Sequence, residues 1–192
     1  MHSLNFRDLV LVTPLLLLGV ALFYVTGNRF VVTPSIPVGW WHLDPRPAVV
    51  WRGMTIVACL PTSIQKFGLT RGYLPRGNCS DGGMAIAKVV VALPGDTIDL
   101  AGATMRVNRR KLLPCGARTK SDAAGRAMQS LRDGRYVLGS DDVWLCGSSG
   151  ATAWDSRYYG PIASSLILGT IRPVWIDAGA RAYASLIKSA SQ

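Results

Sequence analysis

The sequence predicts a mainly β, antiparallel domain carried behind one N-terminal transmembrane helix. Short β-branched and aromatic runs recur along the chain, punctuated about every 8 to 12 residues by Gly, Pro and Asp turn signals. Ahead of them, Leu9 to Gly27 is a run of nineteen residues without a charge. One later run, Ala85 to Leu93, is apolar throughout except for Lys88. At 192 residues the chain has room for one domain with a substantial core.

Residues 1–8 read as a short polar head, and with Arg7 on one side of the following apolar run and Arg29 on the other the charges leave its orientation open. A helix over 9–27 rises roughly 28 Å at ~1.5 Å per residue, close to the ~30 Å hydrocarbon core, which predicts an anchor, the alternative being a signal sequence. Residues 28–176 form the exported domain and 177–192 a tail, either an amphipathic helix or disordered. In Asn28 to Trp41, Pro34 and Pro37 bar a helix and set Ser35 on a stiff extended segment. Phe30, Ile36, Val38, Trp40 and Trp41 read there as an interfacial belt. Ala48 to Trp51 and Met54 to Leu60 predict strands, and Pro61 to Gly83 a loop with one helical turn at most.

The Lys88 strand ends at Pro94-Gly95-Asp96. Alternation puts Lys88 on one face with Ile86, Val90 and Ala92, and both faces are apolar. Its amine is therefore either snorkelling from a strand edge or buried for a purpose. Thr97 to Leu100, Thr104 to Val107, Lys111 to Leu113, Tyr136 to Leu138, Val143 to Cys146, Leu166 to Leu168 and Ile171 to Ile176 continue as short strands. Ser121 to Asp133 predicts a helix, with Ser121 as N-cap and Gly134 just beyond its end.

Composition narrows the chemistry. The net charge is +10, and nine basic residues fall between Arg106 and Arg135. No aromatic interleaves that run before Tyr136, so a solvated basic face is expected and no nucleic-acid partner. Every acid is an aspartate, and the histidines are His2 and His42 alone. His-rich metal sites and glutamate-dependent metalloprotease motifs are excluded, and neither metal nor cofactor is expected. Cys59, Cys79, Cys115 and Cys146 allow up to two disulfides in three connectivities, or four buried thiols.

With histidine scarce, a buried lysine is the remaining candidate base. Its amine must fall from ~10.4 to roughly 7 or 8, within reach of full burial. Lys88 fits that need, and Ser35 is the matching nucleophile of a Ser-Lys pair. The Ser35 backbone N–H and the Thr33 hydroxyl are candidate oxyanion donors.

Four boxes occur in order: T-P-S-I-P-V-G from Thr33, W-R-G-M-T-I-V-A from Trp51, A-K-V-V-V-A-L-P-G-D from Ala87 and W-D-S-R-Y-Y-G-P-I from Trp154. Together they resemble the bacterial type I signal peptidases across about residues 30–176. The R-G-Y-L at Arg71 to Leu74, the following G-N-C and the G-R-Y-V-L-G segment resemble the branch of conjugal-transfer pilin-processing peptidases (TraF type). The resemblance implies a signal-peptidase-like fold with Ser35 as nucleophile, Lys88 as general base and Thr33 at the oxyanion. It implies supporting roles for Asp155, Ser156 and Arg157. It also implies a serine endopeptidase on the bacterial inner membrane, with residues 1–8 a cytoplasmic head and the catalytic domain facing the periplasm and in contact with lipid. The expected substrate is a membrane-embedded pilin precursor, with hydrolysis or cyclisation through an acyl-enzyme. The alternatives are a general leader peptidase acting on signal-peptide-bearing proteins and a non-catalytic scaffold of a secretion channel. Two positions depart from the family. Met54 stands where the second box usually has an acid, which predicts a lost ion pair. Ala153 stands where a serine often orients the lysine, leaving Thr152 or Ser156 as substitutes.

Overall fold

A computed structural model describes residues 6–33, 35–112, 115, 117–148, 152–177 and 180–191, with side chains from Val12 onward in the first helix. Residues 1–5 of the expected head, Pro34, Leu113 and part of the Gly147 to Thr152 loop lie outside the described residues. Helix α1 (Phe6–Val25) leads into β1 (Asn28–Val31) and β2 (Gly39–Pro45). Among the described residues no helix is long and apolar enough to cross a membrane. The end of α1 is bonded directly into the sheet. Asn28 Nδ2 donates to Phe23 O (3.1 Å), Arg29 Nη1 to Tyr24 O (2.7 Å) and Leu43 N to Gly27 O (2.9 Å). Trp40 packs edge-on against Phe23, Tyr24 and Phe30.

The chain continues through β3 (Thr55–Ala58), α2 (Thr62–Arg71), β4 (Ile86–Ala92), β5 (Thr97–Ala101), β6 (Thr104–Val107), β7 (Arg110–Lys111), β8 (Gly134–Val137) and β9 (Asp142–Cys146). After these come the short α3 (Ser156–Tyr159), β10 (Ile162–Ala163), β11 (Ile167–Ile176) and α4 (Ala180–Ala190). The described strands form a seven-stranded sheet in the order β1-β2-β11-β3-β4-β9-β10 and a four-stranded sheet β7-β6-β5-β8. All the paired strands are antiparallel, as expected.

Strand β4 lies inside the large sheet between β3 and β9, so Lys88 is not at an edge. Ile86, Lys88 and Val90 share one face, over a core with Ile56, Leu145 and Ile162. Val89 and Val91 face a second core, shared with the four-stranded sheet and α4. The expected alternation breaks after Val90, where a register shift sends Ala92 to that second core.

Several expectations are corrected. Trp41 and Ile36 belong to the core rather than to an interfacial belt, both fully buried, whereas Phe30 stays exposed. Residues 48–51 are not a strand, and Val49 and Trp51 are exposed. The loop after Pro61 holds a ten-residue helix, α2, closed by Gly72 at φ 72°. The helix expected over 121–133 does not form. Asp122 accepts the amides of Ala124 and Arg126 (3.0 and 2.9 Å), and Gly125 adopts φ 74°, so a side-chain-capped turn replaces the helix. The two strands expected near the C-terminus are one, β11, which pairs with both β2 and β3.

The cysteines form Cys59–Cys79, which joins the chain just before α2 to the loop after it, and Cys115–Cys146. Closing a loop of this length stabilises a fold by about 3 kcal/mol in chain-entropy terms. Replacing Cys59 and Cys79 together by serine is expected to lower unfolding stability by about 2–4 kcal/mol, measured by urea denaturation.

Candidate active site

Ser35 and Lys88, 53 residues apart, meet: Lys88 Nζ donates to Ser35 Oγ at 2.7 Å. Lys88 is only 1% exposed. Burial pulls its amine down from the ordinary value to about 8; the Asp155 carboxylate opposes that fall and the Arg157 guanidinium assists it. Buried among apolar strands and hydrogen-bonded to a hydroxyl, such an amine can accept a proton near neutral pH.

The Ser35 segment has little ladder of its own and is held from outside. Ser148, just past β9, donates its N–H to Ser35 O (2.9 Å) and sets its hydroxyl 3.4 Å from the same oxygen. A Cβ on Gly147 would stand 2.6 Å from Ala153 Cβ, 3.1 Å from Lys88 Nζ and 3.2 Å from Ser35 O. Glycine is what lets β9 approach the amine so closely. Thr33 is half-buried two residues before Ser35.

Asp155 and Arg157 are fully buried and paired twice, Nη2 to Oδ2 at 2.7 Å and Nε to Oδ1 at 2.8 Å. The same carboxylate takes the Gly147 N–H at 2.9 Å, and the guanidinium reaches the carbonyls of Ala117 and Ala153. This pair fixes the chain on both sides of Lys88's seat. Ser156 is buried, and its Oγ accepts the Leu145 N–H at 2.9 Å, so it ties α3 to β9. Thr152 is exposed. At Ala153, the position where the resemblance would put a serine, the side chain is a buried methyl group.

With no acid at position 54, Arg52 pairs elsewhere. Arg52 of the R-G-M box finds its acid in the P-G-D turn: Nε donates to Asp96 Oδ2 at 2.9 Å, and Nη2 bonds Oδ1. Asp96 also takes Leu93 N and Asn108 Nδ2, and these donors hold its carboxyl below the usual range despite partial burial, which alone would raise it. Met54 joins the core instead. Cys115, Cys146 and Asp155 are the one described group with metal-ligand spacing. The cysteines are joined to each other and Asp155 is held by Arg157, so no thiolate or free carboxylate is on offer there. Gly147, Ser148, Asp96 and the Cys115–Cys146 pairing were not singled out from sequence, because their roles depend on which strands become neighbours.

The sequence model of the family described as signal peptidase, peptidase S26, matches residues 6–176. A plasmid transfer protein TraF of Escherichia coli is 37% identical over 152 residues, covering 79% of this chain and 84% of that protein. A second from the same species is 35% identical over 161 residues, 83% of this chain and 88% of its own length. A conjugal transfer protein TraF of Agrobacterium tumefaciens is 33% identical over 150 residues, 78% and 82% respectively.

Removing one partner of a buried pair leaves an uncompensated charge. Asp155→Ala is therefore expected to cost about 3–5 kcal/mol of stability in urea denaturation, and Asp155→Leu with Arg157→Met to recover most of it.

Proposed function

Since the chain belongs to the signal peptidase family, peptidase S26, we propose that it is a membrane-anchored serine endopeptidase that processes a pilin precursor for conjugative transfer. The observation that carries the reading is the 2.7 Å contact between Ser35 Oγ and a fully buried Lys88 amine. Lys88, neutral, takes the Ser35 proton as Oγ attacks the scissile carbonyl, forming a tetrahedral oxyanion beside the Ser35 N–H and Thr33 hydroxyl. The ammonium then returns that proton to the leaving amine, and an acyl-serine remains. Water attacking it completes hydrolysis; the substrate's own amine attacking it closes a ring. The names of the relatives support conjugation over general leader processing. The Arg52–Asp96 pair removes one ground for reading the chain as a silent scaffold.

Anchoring over residues 9–27, with the domain in the periplasm and touching inner-membrane lipid, belongs to the same proposal. What supports it is the exposure of Leu15 to Leu18 and Val20 to Val25, and the row Phe30, Trp40 and Trp175 that continues across β1, β2 and β11. Two disulfides favour an oxidising compartment.

Ser35→Ala and Lys88→Ala are each expected to reduce processing by at least about 10³-fold, scored by mass spectrometry of the pilin precursor. Equal processing by the parent chain and both variants would overturn the Ser-Lys reading. Complementation of a leader-peptidase-depleted strain would overturn the dedicated role. Activity is expected to rise with pH through a midpoint of about 8, as Lys88 loses its proton; a flat profile from pH ~6 to ~10 contradicts a lysine base.

A further inference from the structure

Helix α4 lies past residue 176, where the family match ends. It is nonetheless part of the core. Tyr183, Leu186 and Ala190, spaced along one helical face, are buried against the same cluster as Ile36, Trp41 and Val89. The Tyr183 ring meets Trp41 edge-on, 5.3 Å between centroids at 90°. Trp41 in turn donates its indole N–H to Pro37 O at 3.0 Å, two residues after Ser35. Ile36, the residue between, is fully buried in that cluster. The chain entering α4 adds a second tie, Asp177 N to Val38 O at 3.1 Å. On its polar end, the Tyr183 hydroxyl lies 2.6 Å from Thr55 Oγ1. Thr55 opposes Val89 in the β3–β4 ladder, beside the Ile56–Lys88 pair.

We propose that Tyr183 is a positioning residue for the nucleophile: α4 presses its ring on Trp41, and Trp41 holds the Ser35 segment at the distance from β4 that Lys88 requires. Ser35 sits on a segment with few bonds to the sheet, so its placement depends on such outside supports. One ring bears on the arm carrying Ser35, and its hydroxyl ties it to the strand beside Lys88. The inference rests on the Ser-Lys reading above, and its test is chosen to fail separately from that reading.

The test uses the full chain in detergent micelles with 13C-labelled lysine, the Lys88 Cε resonance being assigned by its loss in Lys88→Arg. The expected titration midpoint is about 8 in the parent chain. In Tyr183→Ala it moves up by at least about one pH unit, as the loosened segment admits water to the amine. Tyr183→Phe, which keeps the ring on Trp41, stays at the parent value. Met105→Ala, a core truncation in the four-stranded sheet, lowers the melting temperature without moving the midpoint. In processing of the pilin precursor, Tyr183→Ala lowers kcat about 10- to 100-fold with KM nearly unchanged. An unmoved midpoint in Tyr183→Ala, or an equal shift in Met105→Ala, overturns the proposal. If Tyr183→Ala does not fold, Trp41→Phe, which drops the bond to Pro37 and shrinks the ring that Tyr183 meets, is read in the same way. Processing by Ser35→Ala would instead sink the catalytic reading and leave the titration result to judge the brace alone.

Discussion

A lysine amine sealed among apolar strands gives up its proton more readily than one in water, and the rest of this site is arranged around easing that loss at Lys88. The nearest acid, Asp155, would drive the amine back toward its charged form. It is occupied instead: Arg157 grips both carboxylate oxygens and the Gly147 amide takes one of them. The buried ion pair therefore does two things. It braces the chain on either side of the amine, and it keeps the local negative charge engaged so that burial dominates. The hydrogen bond left to Lys88 points at Ser35.

The large sheet brings these groups together from distant parts of the chain. Strand β4 supplies Lys88 from an interior position, with β9 beside it. The turn after β9 delivers Gly147 against the amine and Ser148 onto the Ser35 carbonyl. The Cys115–Cys146 bond fastens the incoming segment to the last residue of β9, and the nearby Ala117 carbonyl accepts from Arg157. Ser35 itself arrives from between β1 and β2, at the far side of the sheet order.

Much of this is legible in the sequence, for local reasons. The Lys88 strand, β5, β6 and β9 announce themselves by β-branched content and turn residues, and a lone charge in an apolar strand is informative wherever it lands. Helix α2 was not legible. Its sequence, T-S-I-Q-K-F-G-L-T-R, has no clear apolar stripe and no side-chain cap, and it is held by a disulfide and by Gly68 lying against Trp154. The segment 121–133 misled in the opposite sense. Helix-compatible residues lost to one aspartate whose carboxylate collects backbone amides and the Tyr73 hydroxyl. Trp41 misled because proximity to an apolar helix and burial in a core select the same side chain. The Arg52–Asp96 pair could not be read at all, since the box carrying Asp96 offers no sign that it supplies the acid missing at Met54.

The join between α1 and the sheet has a mechanical consequence. Asn28, Arg29 and Gly27 exchange hydrogen bonds with the last turn of the helix and with β2, and Trp40 fills the angle between them. There is no hinge of the kind a glycine- or serine-rich linker would supply. The axis of α1 and the bearing of the Ser35 segment thus share one degree of freedom instead of two. Any tilt of the helix is passed on toward the Ser35 segment through Gly27, Asn28 and Trp40.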